Sequence, residues 1–240
     1  MKKQVFYLLI LFPAIFLNCS GGGDVFSFKG SKIWAHRVNN PDDANTKMKA
    51  FTGIEIDLAY DSISGNLYVS HDIDASRMQM TFRQYMRQIE RPSKSYYWLD
   101  VKNLFDNPEK ICDTIICIAR DFGIENKFFV ESWSAKALKS AKEKGVTTSL
   151  WVENITGKID CDTLRWLEKY KKIVEEVKVD ALSADYRMRH LLNEYFPEII
   201  INLWQTPAEF NDENVEITRE ICRDPHVKVL LVDYDKPVSY

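Results

Sequence analysis

The sequence predicts an α/β chain closed into a TIM (β/α)8 barrel, with a small β-hairpin inserted after the second strand. Three observations predict it. Short apolar runs alternate with helical patterns of about ten to fifteen residues, the spacing of parallel βα units. With the hairpin return set apart there are eight such runs, and eight close a barrel. At 240 residues, or about 210–220 once the N-terminus is processed, the chain has the length of one such domain.

The elements follow in order. Lys2 and Lys3 precede an apolar run over 5–17 that suits a signal peptide and is short for a spanning helix. The run ends at Phe16-Leu17-Asn18-Cys19, similar to a bacterial lipoprotein signal over 1–19 with Cys19 as the lipidated residue. Residues 20–30 hold Gly21, Gly22 and Gly23 and read as a flexible tether, leaving 31–240 for the barrel. More than one acyl chain on Cys19 would suffice for stable membrane anchoring, so the expected location is the bacterial cell envelope, at the periplasm or cell surface.

The first strand spans 31–37, a short helical pattern lies around 47–51, and the second strand spans 53–60. A turn over 61–65, rich in Asp, Ser and Gly, leads to a return strand over 66–70. Phe82, Tyr85, Met86 and Ile89 make one face of a helix over 81–90, and SYYWLDVK over 95–102 is the third barrel strand. Pro108 opens a helix to Phe122 that Gly123 ends. Strands at 127–132, 147–153, 180–185, 198–205 and 228–233 then alternate with helices at 135–144, 161–177, 189–195 and 214–222; Asp160 is a candidate cap for the second of these.

Composition narrows the function. Apolar residues at 45% and charged residues at 28% are ordinary for a globular domain, and a net charge of −3 gives no basic footprint for nucleic acid. Cys112, Cys117, Cys161 and Cys222 show no CxxC spacing and read as buried free thiols, although an exported protein can join a distant pair. A monomer acting on a small molecule is expected.

Chemistry concentrates between Ile33 and Asp72. Glu55 and Asp57, two apart on one strand, project from the same face, and Asp100 and Lys102 repeat the arrangement on the third strand. Three carboxylates, Glu55, Asp57 and Asp100, supply the hard oxygen ligands that Ca²⁺ or Mg²⁺ prefer. Arg37 and Lys102 suit phosphate oxygens, and His36 and His71 end neighbouring apolar runs as an acid/base pair whose roles stay interchangeable. Active sites of TIM barrels lie at strand C-terminal ends, where Glu131, Trp151, Asp185, Trp204 and Asp233 also fall. Glu131, Trp151 and Trp204 are therefore candidate cleft residues. Tyr96, Tyr97, Trp98 and Trp133, and Trp151 as well, can line a cleft too, but core filling is the commoner use of strand aromatics. His190 and His226, without partner patterns, read as structural.

The order HR, ExD, HD and acidic-x-Lys resembles the glycerophosphodiester phosphodiesterase family of the phospholipase-C-like TIM-barrel superfamily. WAHRVN and WLDVKNL are similar to menorin-like members of the same superfamily. The resemblance implies His36 and His71 as the acid/base pair. It implies Glu55, Asp57 and Asp100 as ligands of a divalent metal, with Asp100 replacing the family's later Glu, and Lys102 on phosphate. Trp204 in INLWQTP resembles the late WT motif, and Asp233 with Pro237 the closing signature. Two positions depart from the pattern: Val38 stands for the Gly after HR, and Ala44-Asn45-Thr46 lacks the Glu of ENT. Either Asp42 or Asp43 substitutes for that Glu, or the substrate differs, or activity is lost. The leading expectation is a metal-dependent phosphodiesterase hydrolysing a glycerophosphodiester or related diester. The alternatives are a catalytically silent, menorin-like envelope binding protein and a lyase forming a cyclic phosphate.

Overall fold

Eight short parallel strands close on themselves, and each reads as an apolar run because both of its faces are covered. The computed structural model describes residues 27–74, 76, 78–155 and 161–240. The expected signal with Cys19, the tether up to residue 26 and the cap at Asp160 lie outside them. The barrel strands are β1 (Ile33–Ala35), β2 (Gly53–Asp61), β4 (Tyr96–Val101), β5 (Phe128–Ser132), β6 (Thr148–Trp151), β7 (Ala181–Asp185), β8 (Ile200–Gln205) and β9 (Val227–Val232). Neighbours pair in parallel around the ring, β9 returns to β1 through Ile33↔Leu230, and β1 meets β2 at Ala35↔Ile54. β3 (Asn66–Val69) is antiparallel to β2 and forms the expected hairpin. Its turn is set by Asp61, whose carboxylate accepts from Ile63 N and Ser64 N, and by Gly65 at φ 71°.

Helices α1 (Pro41–Lys47), α2 (Phe82–Gln88), α3 (Pro108–Phe122), α4 (Ala135–Glu143), α5 (Cys161–Val177), α6 (Arg189–Tyr195) and α7 (Asp212–Arg223) cover the outside. Among the described residues none is long and apolar enough to cross a membrane. Among the described residues no helix follows β9. The tail after it lies between α7 and α1, where Lys47 Nζ donates to Tyr234 O and Arg219 Nε donates to Ser239 O.

The first helix begins earlier than its apolar pattern suggests. Asn40 accepts from Asp42 N and Asp43 N, and Pro41 takes the first-turn position, so α1 starts at 41 and stops where the expected helix begins. Asp42 and Asp43 are exposed acids in that first turn, facing solvent.

Strand alternation separates two apolar regions. Outward residues such as Ile54, Ile56, Leu99, Val130, Leu182 and Leu230 pack under the helices, with Ile111, Ile115 and Leu138 among their partners. Inward residues Trp34, Trp98, Phe129, Val229 and Leu231 fill the barrel, and Phe28 lies against Trp34 and Tyr96 at its N-terminal end. The wide Trp34 ring is possible because β2 begins with glycine: a Cβ on Gly53 would stand 2.4 Å from Trp34 Cδ2. Cys112 and Cys222 are buried free thiols as expected, whereas free Cys117 is exposed beside Arg83 on the helical surface.

Gly53→Ala is expected to destabilise the fold by about 1–3 kcal/mol through overpacking against Trp34. Thermal unfolding checks this, and pairing it with Trp34→Phe should recover part of the loss. An unchanged melting temperature would show that the barrel interior has slack.

Candidate active site

Every predicted catalytic side chain comes from the C-terminal end of a strand or the loop directly after it. His36 and Arg37 follow β1, and His36 N donates to Val232 O, which extends the β1–β9 ladder to the rim. Arg37 takes the left-handed conformation at φ 55°, rare for a non-glycine residue. That turn directs its backbone N–H onto Glu55 Oε2 at 2.6 Å while Val38 N donates to Glu55 O. Val38 is buried and its carbonyl accepts from Tyr85 Oη, so the departure from glycine is absorbed by packing.

Glu55 and Asp57, each 2% exposed, point inward from β2, and Asp100 sits beside Asp57 in register on β4. Ligand oxygens of the three lie within 4.8 Å of one another. Lys102 Nζ is 2.6 Å from Asp57 Oδ1 and also hydrogen-bonds to Asp100. Asn39 grips Asp57 twice: its Nδ2 donates to Oδ2 at 2.7 Å, and its Oδ1 accepts from Asp57 N at 3.0 Å. Arg37 Nε approaches the same carboxylate at 3.7 Å.

His36 Nδ1 hydrogen-bonds to Asp233 Oδ1 at 2.7 Å, which leaves Nε2 as the free ring nitrogen. Burial pushes the Asp233 carboxyl up, but His36, the Ala208 N–H and Arg37 together hold it below the usual range. His71 arrives by the hairpin. Ser70 N donates to Asp57 O, and Ser70 Oγ closes a tight turn on Asp72 O, so the return strand delivers the imidazole beside the carboxylates.

These groups share one cavity of about 250 Å³, lined by His36, Arg37, Glu55, His71, Asp100 and Lys102, with Glu131, Trp151 and Trp204 completing its far wall. Trp98 and Leu231 form its floor. Asp185, also at a strand end, turns away to a forked pair with Arg187 at 2.7 and 2.8 Å. The aromatics divide: Tyr97 and Trp98 are core, as expected, while Trp133 at 58% and Trp151 at 36% exposure stand on the rim. Trp133 follows the last residue of β5 and Trp151 is the last of β6, which puts both at the open end of the barrel. Asn39 was assigned no role from the sequence, although it closes the WAHRVN motif three residues after His36.

Electrostatics explain what the carboxylates accommodate. Burial, then Asp57 and Asp100, push Glu55 well above the usual carboxylate range. Burial also raises Asp100, with Lys102 opposing it, and burial with Asp100 raises Glu131. Lys102 is lowered by burial but raised further by Asp100 and Asp57, so it stays cationic. Crowded oxygen donors that resist ionising together are what a hard divalent cation relieves, and the trio fits such an ion in donor chemistry and spacing.

No family model matches the sequence, and no curated protein matches it. Solved structures do. A glycerophosphodiester phosphodiesterase from Parabacteroides distasonis is 14% identical with a TM-score of 0.60, covering 86% of this chain and 94% of its own. A phosphodiesterase from Oleispira antarctica, in complex with the product sn-glycerol-3-phosphate, is 14% identical with a TM-score of 0.63, covering 88% and 96%. A glycerol uptake operon antiterminator-related protein from Thermotoga maritima reaches 0.55 at 13% identity, covering 87% and 97%. The chain therefore has the TIM-barrel fold that these three solved structures share.

Raised carboxyls make the metal-free protein pH-sensitive. Glu55 and Glu131 hold protons in the folded state above the pH at which they would lose them unfolded, so stability falls as pH rises past the ordinary value of 4.5. Thermal melts across pH should show that decline. Added Ca²⁺ or Mg²⁺ should raise the melting temperature more at higher pH, and Glu55→Gln should shrink the decline. A melting temperature that climbs with pH in the metal-free protein would contradict the assignment.

Proposed function

We propose that the chain is a metal-dependent phosphodiesterase that hydrolyses a glycerophosphodiester or a related small phosphodiester. One observation carries the reading: two imidazoles and two cations share a single cavity at the barrel's C-terminal face with Glu55 and Asp100, and Asp57 completes their carboxylate cluster. The phosphodiesterases of similar fold, one holding sn-glycerol-3-phosphate, support the substrate class.

The chain's own residues divide the work by chemistry. Arg37, with forked donors, and Lys102, a compact charge, bind phosphoryl oxygens. Glu55, Asp57 and Asp100 would hold Ca²⁺ or Mg²⁺, whose charge offsets the negative charge that grows on those oxygens in the transition state. One imidazole takes the proton of the attacking water at a ring nitrogen while the other gives a proton to the leaving alcohol oxygen. The products are a phosphomonoester and a free alcohol. Asp233 fixes the His36 ring through Nδ1, so that Nε2 is the atom that moves a proton. Asn39 and Lys102 hold Asp57 in its ligating orientation before any ion arrives.

The full chain, stripped of metal and then given Ca²⁺, Mg²⁺ or Mn²⁺, should release sn-glycerol-3-phosphate from glycerophosphodiesters. His36→Ala and Glu55→Ala should each lower kcat at least about a hundredfold. Asp233→Asn should lower kcat with little change in KM and reshape the pH profile, since it acts through His36. A cyclic phosphate product would turn the reading to a lyase, and no turnover with no divalent binding by calorimetry would leave a silent binding scaffold.

We also propose that the protein is exported to the bacterial envelope and held there as a monomer through lipid on Cys19, on the strength of the Lys2-Lys3, apolar-run and FLNC pattern. Metabolic labelling with palmitate checks it: label should enter the chain and be lost in Cys19→Ala. Equal labelling of that variant would rule the anchor out.

A further inference from the structure

Beside the catalytic cavity lies a second lobe of about 260 Å³, which shares Asp100, Lys102, Glu131 and Trp151 with it and adds Ser132 and Trp133. A phosphodiester has two alcohol arms, and a phosphoryl group bound beside Asp100 and Lys102, which line both spaces, has this lobe within reach of one of them. The lobe has a defined character. Trp133 and Trp151 give it two aromatic walls, the first braced by Phe105 at 5.1 Å between ring centroids and the second stacked on Trp204 at an interplanar angle of 4°. Both tryptophans remain open to solvent although surrounding structure holds their rings. Glu131, 4% exposed, lies at the floor and stands outside the three-carboxylate cluster. Its Oε2 has no hydrogen-bond partner. A buried acceptor left without a partner costs about 1–3 kcal/mol, which a substrate hydroxyl that reached it would offset.

We infer that this lobe is the subsite for the leaving alcohol and selects a polyhydroxylated ring, a cyclitol or sugar, over an ammonium headgroup. The inference rests on the phosphodiesterase reading and narrows its substrate. A ring polyol offers flat C–H faces to Trp133 and Trp151 and hydroxyl donors at its edge for Glu131 and Ser132. A quaternary ammonium has methyl groups for the aromatic walls but no donor for Glu131, whose oxygen would stay unpaired. A primary ammonium has donors but too little surface for the two indoles.

The test measures kcat/KM of the full, metal-loaded chain on four diesters of glycerol 3-phosphate: with myo-inositol, choline, ethanolamine and methanol. The inositol diester should be preferred about tenfold or more over the choline and ethanolamine diesters. Trp133→Ala should erase that preference mainly through KM, Trp133→Phe should keep part of it, and the methanol diester should change less than twofold. Preference for choline or ethanolamine, or an equal loss on all four diesters in Trp133→Ala, overturns the inference. Binding of myo-inositol 1-phosphate and phosphocholine, followed by tryptophan fluorescence and calorimetry, separates the two readings. If no diester is cleaved but inositol phosphate binds and Trp133→Ala abolishes that binding, the lobe stands and the reaction falls. If neither probe binds and nothing is cleaved, both fall.

Discussion

Three carboxylates gathered at the ends of two adjacent strands, two of them almost wholly removed from water, set the constraint that the rest of the site answers. Buried like charges repel, and each carries a desolvation cost that only a partner offsets. Lys102 answers directly by sitting against Asp57 and Asp100. Asn39 answers by giving Asp57 a donor and taking its backbone N–H. Glu55 receives the Arg37 backbone N–H, which requires the left-handed turn at Arg37 and hence the exact course of the chain after β1. The loop conformation and the acid cluster are thus two sides of one arrangement.

Below the cluster, the barrel interior is a solid aromatic plug. Trp34 and Trp98 each meet Phe129 in a tilted ring pair, at 6.1 and 5.0 Å between centroids, and Gly53 leaves the room that Trp34 fills. A filled floor keeps the cavity shallow and keeps Glu55 from retreating into the barrel, so charged groups at the rim have one direction in which to meet a ligand. Ser149, Ser183, Asn202 and Glu131 form a buried polar sector, of which Glu131 reaches the second lobe.

Architecture was legible because each strand is covered on both faces and each helix has a one-sided apolar stripe; these are local patterns that a single chain displays. The cluster of Glu55, Asp57, Asp100, His36, His71, Arg37 and Lys102 was legible because the barrel rule converts sequence positions at strand ends into spatial neighbours. α1 was misplaced because its start is decided by a cap, Asn40, and not by apolar spacing. The partnership of Asn39 with Asp57, and of His36 with Asp233 across 197 positions, depends on side-chain direction in the closed ring, which periodicity does not encode. Trp133 looked like core because strand aromatics usually are; it stands one residue past the end of β5, on the rim, whereas Trp151 falls in the cleft that its strand-end position suggested.

The ring closes between β1 and β2 through the one ladder pair Ala35↔Ile54, whereas β2 and β4 share six. The stitches that complete this seam, Arg37 N to Glu55 and Val38 N to Glu55 O, belong to the loop that carries the His36 imidazole. A molecule held between His36 on one side and Glu55 on the other therefore straddles the join. Whatever fills the mouth also acts as a clasp, drawing first and second strands together where the hoop is thinnest and stiffening it against being pried open.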